Sequence, residues 1–120
     1  MNPILLNSII IAIVVIIGGY FALNKYQENK LVKEAQKEAK LFVIRNYEDI
    51  QEVTINKENY KFYPAALGGL SITGYVNGDK KLFFSVDFET GNNQIGEVTS
   101  FLNPKDFPPE KEACKDDFCQ

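Results

Sequence analysis

The sequence predicts an α+β protein: an N-terminal transmembrane helix, then one amphipathic helix packed on a four- to five-stranded antiparallel sheet. Three observations lead there. Ile4 to Leu23 is an apolar run in which no residue is charged, Lys25 being the first. Residues 24–47 are rich in Lys, Glu, Gln, Ala and Leu and contain neither Gly nor Pro, a helical composition. After Ile50 the chain turns to short alternating runs broken by Asn, Gly and Pro, the pattern of strands and turns.

Residues 1–23 are the expected membrane anchor. At ~1.5 Å per residue, about 20 apolar residues cross a hydrocarbon core of roughly 30 Å. The stretch Ile9–Ile17 has no polar face. An uncleaved anchor fits better than a secretory signal, because Met1-Asn2-Pro3 carries no Lys or Arg. A small-x-small cleavage site is also missing, since Tyr20 and Ile17 stand at the −3 positions before Ala22 and Gly19 breaks. Topology reads two ways. Lys25, Lys30, Lys33, Lys37 and Lys40 on the C-terminal flank count toward a cytoplasmic domain, although long domains translocate with little regard to such charges. The cysteines favour the other side. The expected location is a single-pass protein of the cell membrane with its C-terminal domain outside the cytoplasm.

Residues 24–50 read as a solvated stalk followed by an amphipathic helix. Leu31, Ala35, Ala39, Phe42 and Asn46 follow helical spacing, joined late by Val43 and Tyr47. Lys30–Glu34 and Glu34–Lys37 are spaced to support the helix by a few tenths of a kcal/mol, roughly 0.2–0.5 each. Its charges read as a wet face.

Residues 51–101 are the expected β-meander. Gln51–Ile55 and Tyr60–Tyr63 are two short strands around the polar break Asn56–Asn59, stopped by Pro64, and Ala65–Gly69 is a loop. Leu70–Tyr75 and Lys80–Phe88 make a hairpin about Val76-Asn77-Gly78-Asp79. A three-residue loop, with Gly78 left-handed, pairs Tyr75 with Asp79, Ile72 with Leu82 and Leu70 with Phe84. That register puts Leu70, Ile72, Leu82, Phe84, Val86 and Phe88 on one core face, which a one-residue slip would not. Ser71, Thr73, Tyr75, Lys81, Phe83, Ser85 and Asp87 share the wetter face. Glu89–Asn93 turns the chain into a last strand, Ile95–Phe101.

Residues 102–120 are an extended tail with Pro104, Pro108 and Pro109 and the chain's two cysteines. Two Cys and no His are too few for zinc, and the spacing is not Cys-x-x-Cys. Cys114 and Cys119 are then either free thiols in a reducing compartment or a short-loop disulfide in an oxidising one, the preferred reading. Closing so small a loop contributes about 2 kcal/mol in the entropic model, enough to pin the tail.

The segment Ile72-Thr73-Gly74-Tyr75-Val76-Asn77-Gly78-Asp79-Lys80-Lys81-Leu82-Phe83-Phe84 resembles the G-Y-V/I-N hairpin of a family of small Gram-positive membrane-anchored or lipoprotein-type proteins. Arg45 to Thr54 is similar to that family's helix end, a Tyr followed by a short link into the first strand. The resemblance covers roughly residues 31–88. It implies a helix on a β-meander and, because some members occur near secreted toxins, an immunity role. The family's own biochemical function is undefined. This chain departs from it in lacking a basic N-terminus and a lipid-carrying Cys, and in adding the Cys114–Cys119 tail.

Composition narrows the function classes. With 13 Lys and Arg against 16 Asp and Glu, the net charge is −3, and no large basic field suggests nucleic acid. Without His, Ser-His and Cys-His catalysis lack their base. Asp87 with Glu89, and Glu48 with Asp49, read as solvated strand ends rather than acid–base pairs. Asp116 and Asp117 offer too few oxygens for calcium, so no catalytic, cofactor or metal site is expected. What remains is protein contact through Tyr75 and Phe83 on the wetter face, with Tyr60 and Tyr63 nearby. The competing use of that face is a second small core, or cover by Phe101, Phe107 and Phe118. The expected partners are the lipid bilayer and another protein. The expected function is an extracytoplasmic immunity or inhibitor protein, or alternatively a non-catalytic subunit of a membrane complex.

Overall fold

A computed structural model describes residues 3–63, 68–91 and 94–120, with the side chains of Pro3, Leu5, Leu6, Gly18, Tyr20, Phe21, Leu23 and Asn24 left out. The expected Ala65–Gly69 loop and the Glu89–Asn93 turn thus lie partly outside the described residues. The elements are α1 (Pro3–Asn46), β1 (Val53–Phe62), β2 (Gly69–Val76), β3 (Asp79–Gly91), β4 (Gln94–Leu102) and a 3-10 turn at Glu112–Cys114. The chain divides into two compact units, one ending at Lys30 and the other beginning at Leu31.

In the first unit the described apolar side chains of α1, from Ile9 to Ile17, are exposed. Among the described residues no helix is long and apolar enough to cross a membrane. The expected span is therefore seen here only as helix, six of its twenty positions having side chains that are not described.

The second unit is the α+β domain. Its sheet is antiparallel, four strands in the order β1-β2-β3-β4, which is a simple meander. From Leu31 on, α1 buries the face that the spacing marks: Leu31, Ala35, Ala39, Phe42, Val43 and Asn46, with Val32 in addition, and Tyr47 just past its end is buried too. Alanines at 35 and 39, both fully buried, leave out the bulk that would hold a helix off the sheet. The opposing sheet face supplies Leu70, Ile72, Val76, Phe84, Val86 and Phe88.

The sheet differs from expectation in three places. The two first strands are one, β1, and the polar break is an irregularity within it. β1 advances from Ile55 to Tyr60 while β2 moves only from Gly74 to Ile72. Extra residues that bulge from an edge strand leave the ladder on both sides intact.

The hairpin register is neither of the simple ones. Val76 pairs with Asp79 across a two-residue Asn77-Gly78 turn in which both residues have positive φ, 54° and 67°, as a hairpin turn matching strand twist requires. Tyr75 then pairs with Phe83, so that Lys80, Lys81 and Leu82 are bulged out. Ile72 consequently meets Val86 rather than Leu82, and Leu70 meets Phe88 rather than Phe84. The displacement is an even number of residues, so every side chain keeps its face. Leu82 alone leaves the buried set, packing at its margin.

The third difference is the tail, which is docked rather than merely extended. Phe107 and Cys114 are buried, Tyr47 makes an isolated antiparallel bridge with Glu110, and the Glu48 N–H donates to Pro109 O at 2.8 Å. The rings of Phe42, Tyr47, Phe84, Phe101, Phe107 and Phe118 form one cluster at the end of the core, with centroid separations of 4.9 Å for Tyr47–Phe101 and 5.1 Å for Tyr47–Phe107. Cys114 and Cys119 are joined in a disulfide.

Candidate functional site

The helix and the tail cover the same face of the sheet. The other face carries no second layer among the described residues, and it holds two of the residues singled out for contact, Tyr75 and Phe83. β2 and β3 place Tyr75 directly opposite Phe83. Phe83 is 54% exposed and Leu102, opposite Ser85 on β4, is 63% exposed. Between them run hydroxyl groups: Ser71 Oγ and Ser85 Oγ lie 3.0 Å apart, and Thr73 Oγ1 donates to Asn59 O at 3.1 Å. Aromatic side chains set among small polar ones form the mixed surface common at protein interfaces.

The four expected contact residues do not all gather there. Tyr60 pairs with Ile72 and so lies on the helix side of the sheet, packed on the core. Tyr63 lies beyond the end of β1, where its N–H donates to Gly69 O at 2.8 Å. Gly69 and Tyr75 are at opposite ends of β2, which at about 3.3 Å per residue separates Tyr63 from the Tyr75–Phe83 pair. Only that pair forms a unit, joined by Leu102, which alternation along β4 places on the same face opposite Ser85.

At the Tyr63 end a recess of about 590 Å³ is lined by Tyr63, Gly69, Asp87, Glu89 and Thr99 among others. One Asp87 oxygen, Oδ1, is buried without a hydrogen-bond partner among the described residues, while Thr99 Oγ1 donates to the Asp87 carbonyl at 3.2 Å. The recess thus offers two carboxylates, a hydroxyl group and an aromatic edge. No group of three or more His, Cys, Asp or Glu among the described residues is placed to hold a metal.

The other organised polar site is structural. Asn46, fully buried at the end of the helix, donates through Nδ2 to Phe42 O (2.9 Å) and Cys119 O (2.8 Å). Its Oδ1 accepts from the Cys119 N–H at 2.8 Å, and its carbonyl accepts from the Lys111 N–H at 2.7 Å. Spacing marks Asn46 as a core position and gives no hint of this clasp, because its partners in the tail are backbone groups of Cys119, 73 residues away, and Lys111.

Beside it, burial and then the neighbouring Glu110 carboxylate push the Tyr47 hydroxyl up to about 12. The neutral phenol is thereby favoured in the folded state, so an unfolded chain ionises first. Stability contributed by Tyr47 is full below about pH 10 and declines as pH climbs from there toward 12. A spectrophotometric titration of the native protein should show one tyrosine ionising well after the exposed ones. Tyr47→Phe should remove that late step; its persistence would assign the step to another tyrosine.

Comparison with protein-family models, curated proteins and solved structures returned no match. The site's meaning therefore rests on its own geometry.

Proposed function

We propose that this chain is a membrane-anchored, non-catalytic protein-binding module whose domain stands outside the cytoplasm and intercepts a secreted toxin. The observation that carries the binding role is the one-sided cover of the sheet. Among the described residues, helix and tail pack on one face and leave Phe83 and Leu102 exposed and Tyr75 half-buried on the other. Phe101, Phe107 and Phe118, which could have covered that face, join the core under the helix instead.

The anchor is supported by the unbroken apolar run Ile4–Leu23. Its described side chains are exposed, and apolar surface left in water costs about 25 cal/mol per Å². The Cys114–Cys119 disulfide supports an oxidising compartment, since cytosolic thiols are ordinarily kept reduced. The toxin as partner comes from the resemblance of the hairpin segment, and it is the reading that the test below addresses first.

The same exposed apolar helix also suits a subunit of a membrane complex. That reading expects co-purifying membrane proteins that are lost when residues 4–23 are replaced by an unrelated span, a swap that leaves an interceptor working.

The test is protection of cells expressing a neighbouring secreted toxin, with the native chain and with a Tyr75→Ser, Phe83→Ser variant. The native chain should protect and the variant should not. The variant's unfolding free energy should stay within about 1 kcal/mol of native, twice the roughly 0.5 kcal/mol usual for one surface change. Equal protection by both would remove the sheet face from the function, and no protection by either would remove the toxin.

A further inference from the structure

We infer that a lysine-lined groove between α1 and β1 binds a phosphate-bearing anion, independently of the sheet face on the other side. The groove is about 350 Å³, and Lys33, Lys37, Lys40 and Lys57 line it, with Val53 and Ile55 as an apolar floor.

Three observations separate it from an ordinary wet helix face. The first is convergence from two elements. Lys33, Lys37 and Lys40 are spaced i, i+4 and i+7 on one stripe of the helix, and Lys57 comes from the irregular part of β1. Gln36 Nε2 donates to Lys57 O at 3.0 Å, which ties the irregular segment to the helix and holds the fourth lysine at the groove.

The second is the absence of internal neutralisation. Among the described residues the one ion pair is Lys115–Glu112, far along the chain, so no carboxylate lies within 4.0 Å of any of the four ammonium groups. Glu34 precedes Lys37 at the helix-supporting i, i+3 spacing but makes no ion pair with it within 4.0 Å, and Glu38 follows Lys37 by one residue and so stands about 100° around the helix from it. Like charges at i, i+4 disfavour a helix, and a bound anion would offset that repulsion.

The third is contrast with the whole molecule. The chain is net acidic, −3, yet four of its 13 basic residues share this one recess. A phosphate group, with several acceptor oxygens and one or more negative charges, matches a ring of flexible ammonium donors. The apolar floor admits the carbon atoms to which such a phosphate is esterified. Either an anionic lipid headgroup or a soluble phosphate compound supplies this chemistry.

Lysine acylation of the full chain, followed site by site by mass spectrometry, tests the proposal. The probes are tripolyphosphate, with the chain in phosphatidylcholine nanodiscs, and nanodiscs containing phosphatidylglycerol. Protection of Lys33, Lys37, Lys40 and Lys57 by about threefold or more, lost as salt shortens the screening length toward ~3 Å at 1 M, is the expected result. Exposed Lys80, Lys81 and Lys105 should be unaffected and serve as internal references. Protection by tripolyphosphate alone identifies a soluble phosphate, by phosphatidylglycerol alone a lipid headgroup, and by both the shared chemistry. In the Lys57→Gln variant, whose change is on the surface, protection of the helix lysines should weaken. Uniform slowing at all lysines, no protection with either probe, or undiminished protection in Lys57→Gln would overturn the proposal.

Discussion

Replacing Asn46 with alanine is expected to lower the unfolding free energy of the domain by about 2–3 kcal/mol, the scale for orphaning buried polar groups. The amide makes three hydrogen bonds, two of them to the backbone of Cys119. Removing it leaves the Cys119 N–H and C=O without their partner and opens a void in a fully buried position. In a domain of this size that corresponds to a fall in melting temperature on the order of 10 °C.

Asn46→Asp separates shape from donation. The carboxylate keeps an acceptor for the Cys119 N–H but sets negative charge against the Phe42 and Cys119 carbonyls. The protonated acid is then favoured in the folded state, raising its pKa there. Stability should therefore be best at low pH and decline as pH rises past the ordinary aspartate value, about 3.9. Thermal unfolding of both variants at several pH values makes the check. A variant as stable as the native chain, or an aspartate variant indifferent to pH, would show that the tail is held by its aromatic contacts and disulfide instead.

That result would also place the disulfide correctly. Its cysteines stand only five positions apart, and the entropic contribution of so short a loop is about 2 kcal/mol. The loop matters because it presents Cys119 to Asn46 in a defined shape, while Cys114 is buried against the end of the helix.

The elements were legible in the sequence wherever a period governs them. The core face of the helix and the alternation of β2 and β3 follow from spacing, because burial of one stripe or one face is what makes that spacing. Register and docking were not legible. The bulge of Lys80, Lys81 and Leu82 leaves parity unchanged, so alternation cannot detect it. The tail's seat depends on backbone groups at Asn46 and Glu48, which no side-chain pattern announces. The candidate surface was half legible: Tyr75 and Phe83 follow from alternation, whereas Tyr60 was separated from them by the irregularity in β1, which shifts its pairing to Ile72 on the core face.

The hairpin motif behind the family resemblance is accounted for by folding rather than by contact with a partner. Asn77 is held by the link between helix and sheet. Its Nδ2 donates to Asp49 O at 2.9 Å, and its Oδ1 accepts from the Gln51 N–H at 2.7 Å. Asp49 itself has a positive φ of 57°, a conformation few side chains tolerate, so the turn residue supports the strained link it touches. A motif of this kind reports architecture.

Gly74, the other member of that motif, carries the second large expectation. Gly74→Ala should destabilise the domain by about 2–4 kcal/mol, at or beyond the usual cost of overpacking a filled site. Gly74 is fully flanked, paired with Ile55 on β1 and Phe84 on β3. A Cβ there would collide with the Thr54 carbonyl and stand 2.8 Å from Phe84 Cζ. The first obstacle is backbone and cannot rotate away. The second is a ring that is almost wholly buried and stacked on Phe101 at 5.8 Å, so moving it disturbs the aromatic cluster that seats the tail. Gly91, at the far end of β3, makes the control, since a Cβ at that position meets nothing within 4 Å among the described residues. Gly91→Ala should be neutral or slightly stabilising by reducing the freedom of the unfolded chain, within about 1 kcal/mol. Denaturant unfolding of the two variants, with near-ultraviolet dichroism to follow the aromatic cluster, gives the comparison. Equal stability of the two would mean that β1 can move off Gly74, and the close approach of β1, β2 and the Phe84 ring would then not be what holds the sheet face flat behind Tyr75 and Phe83.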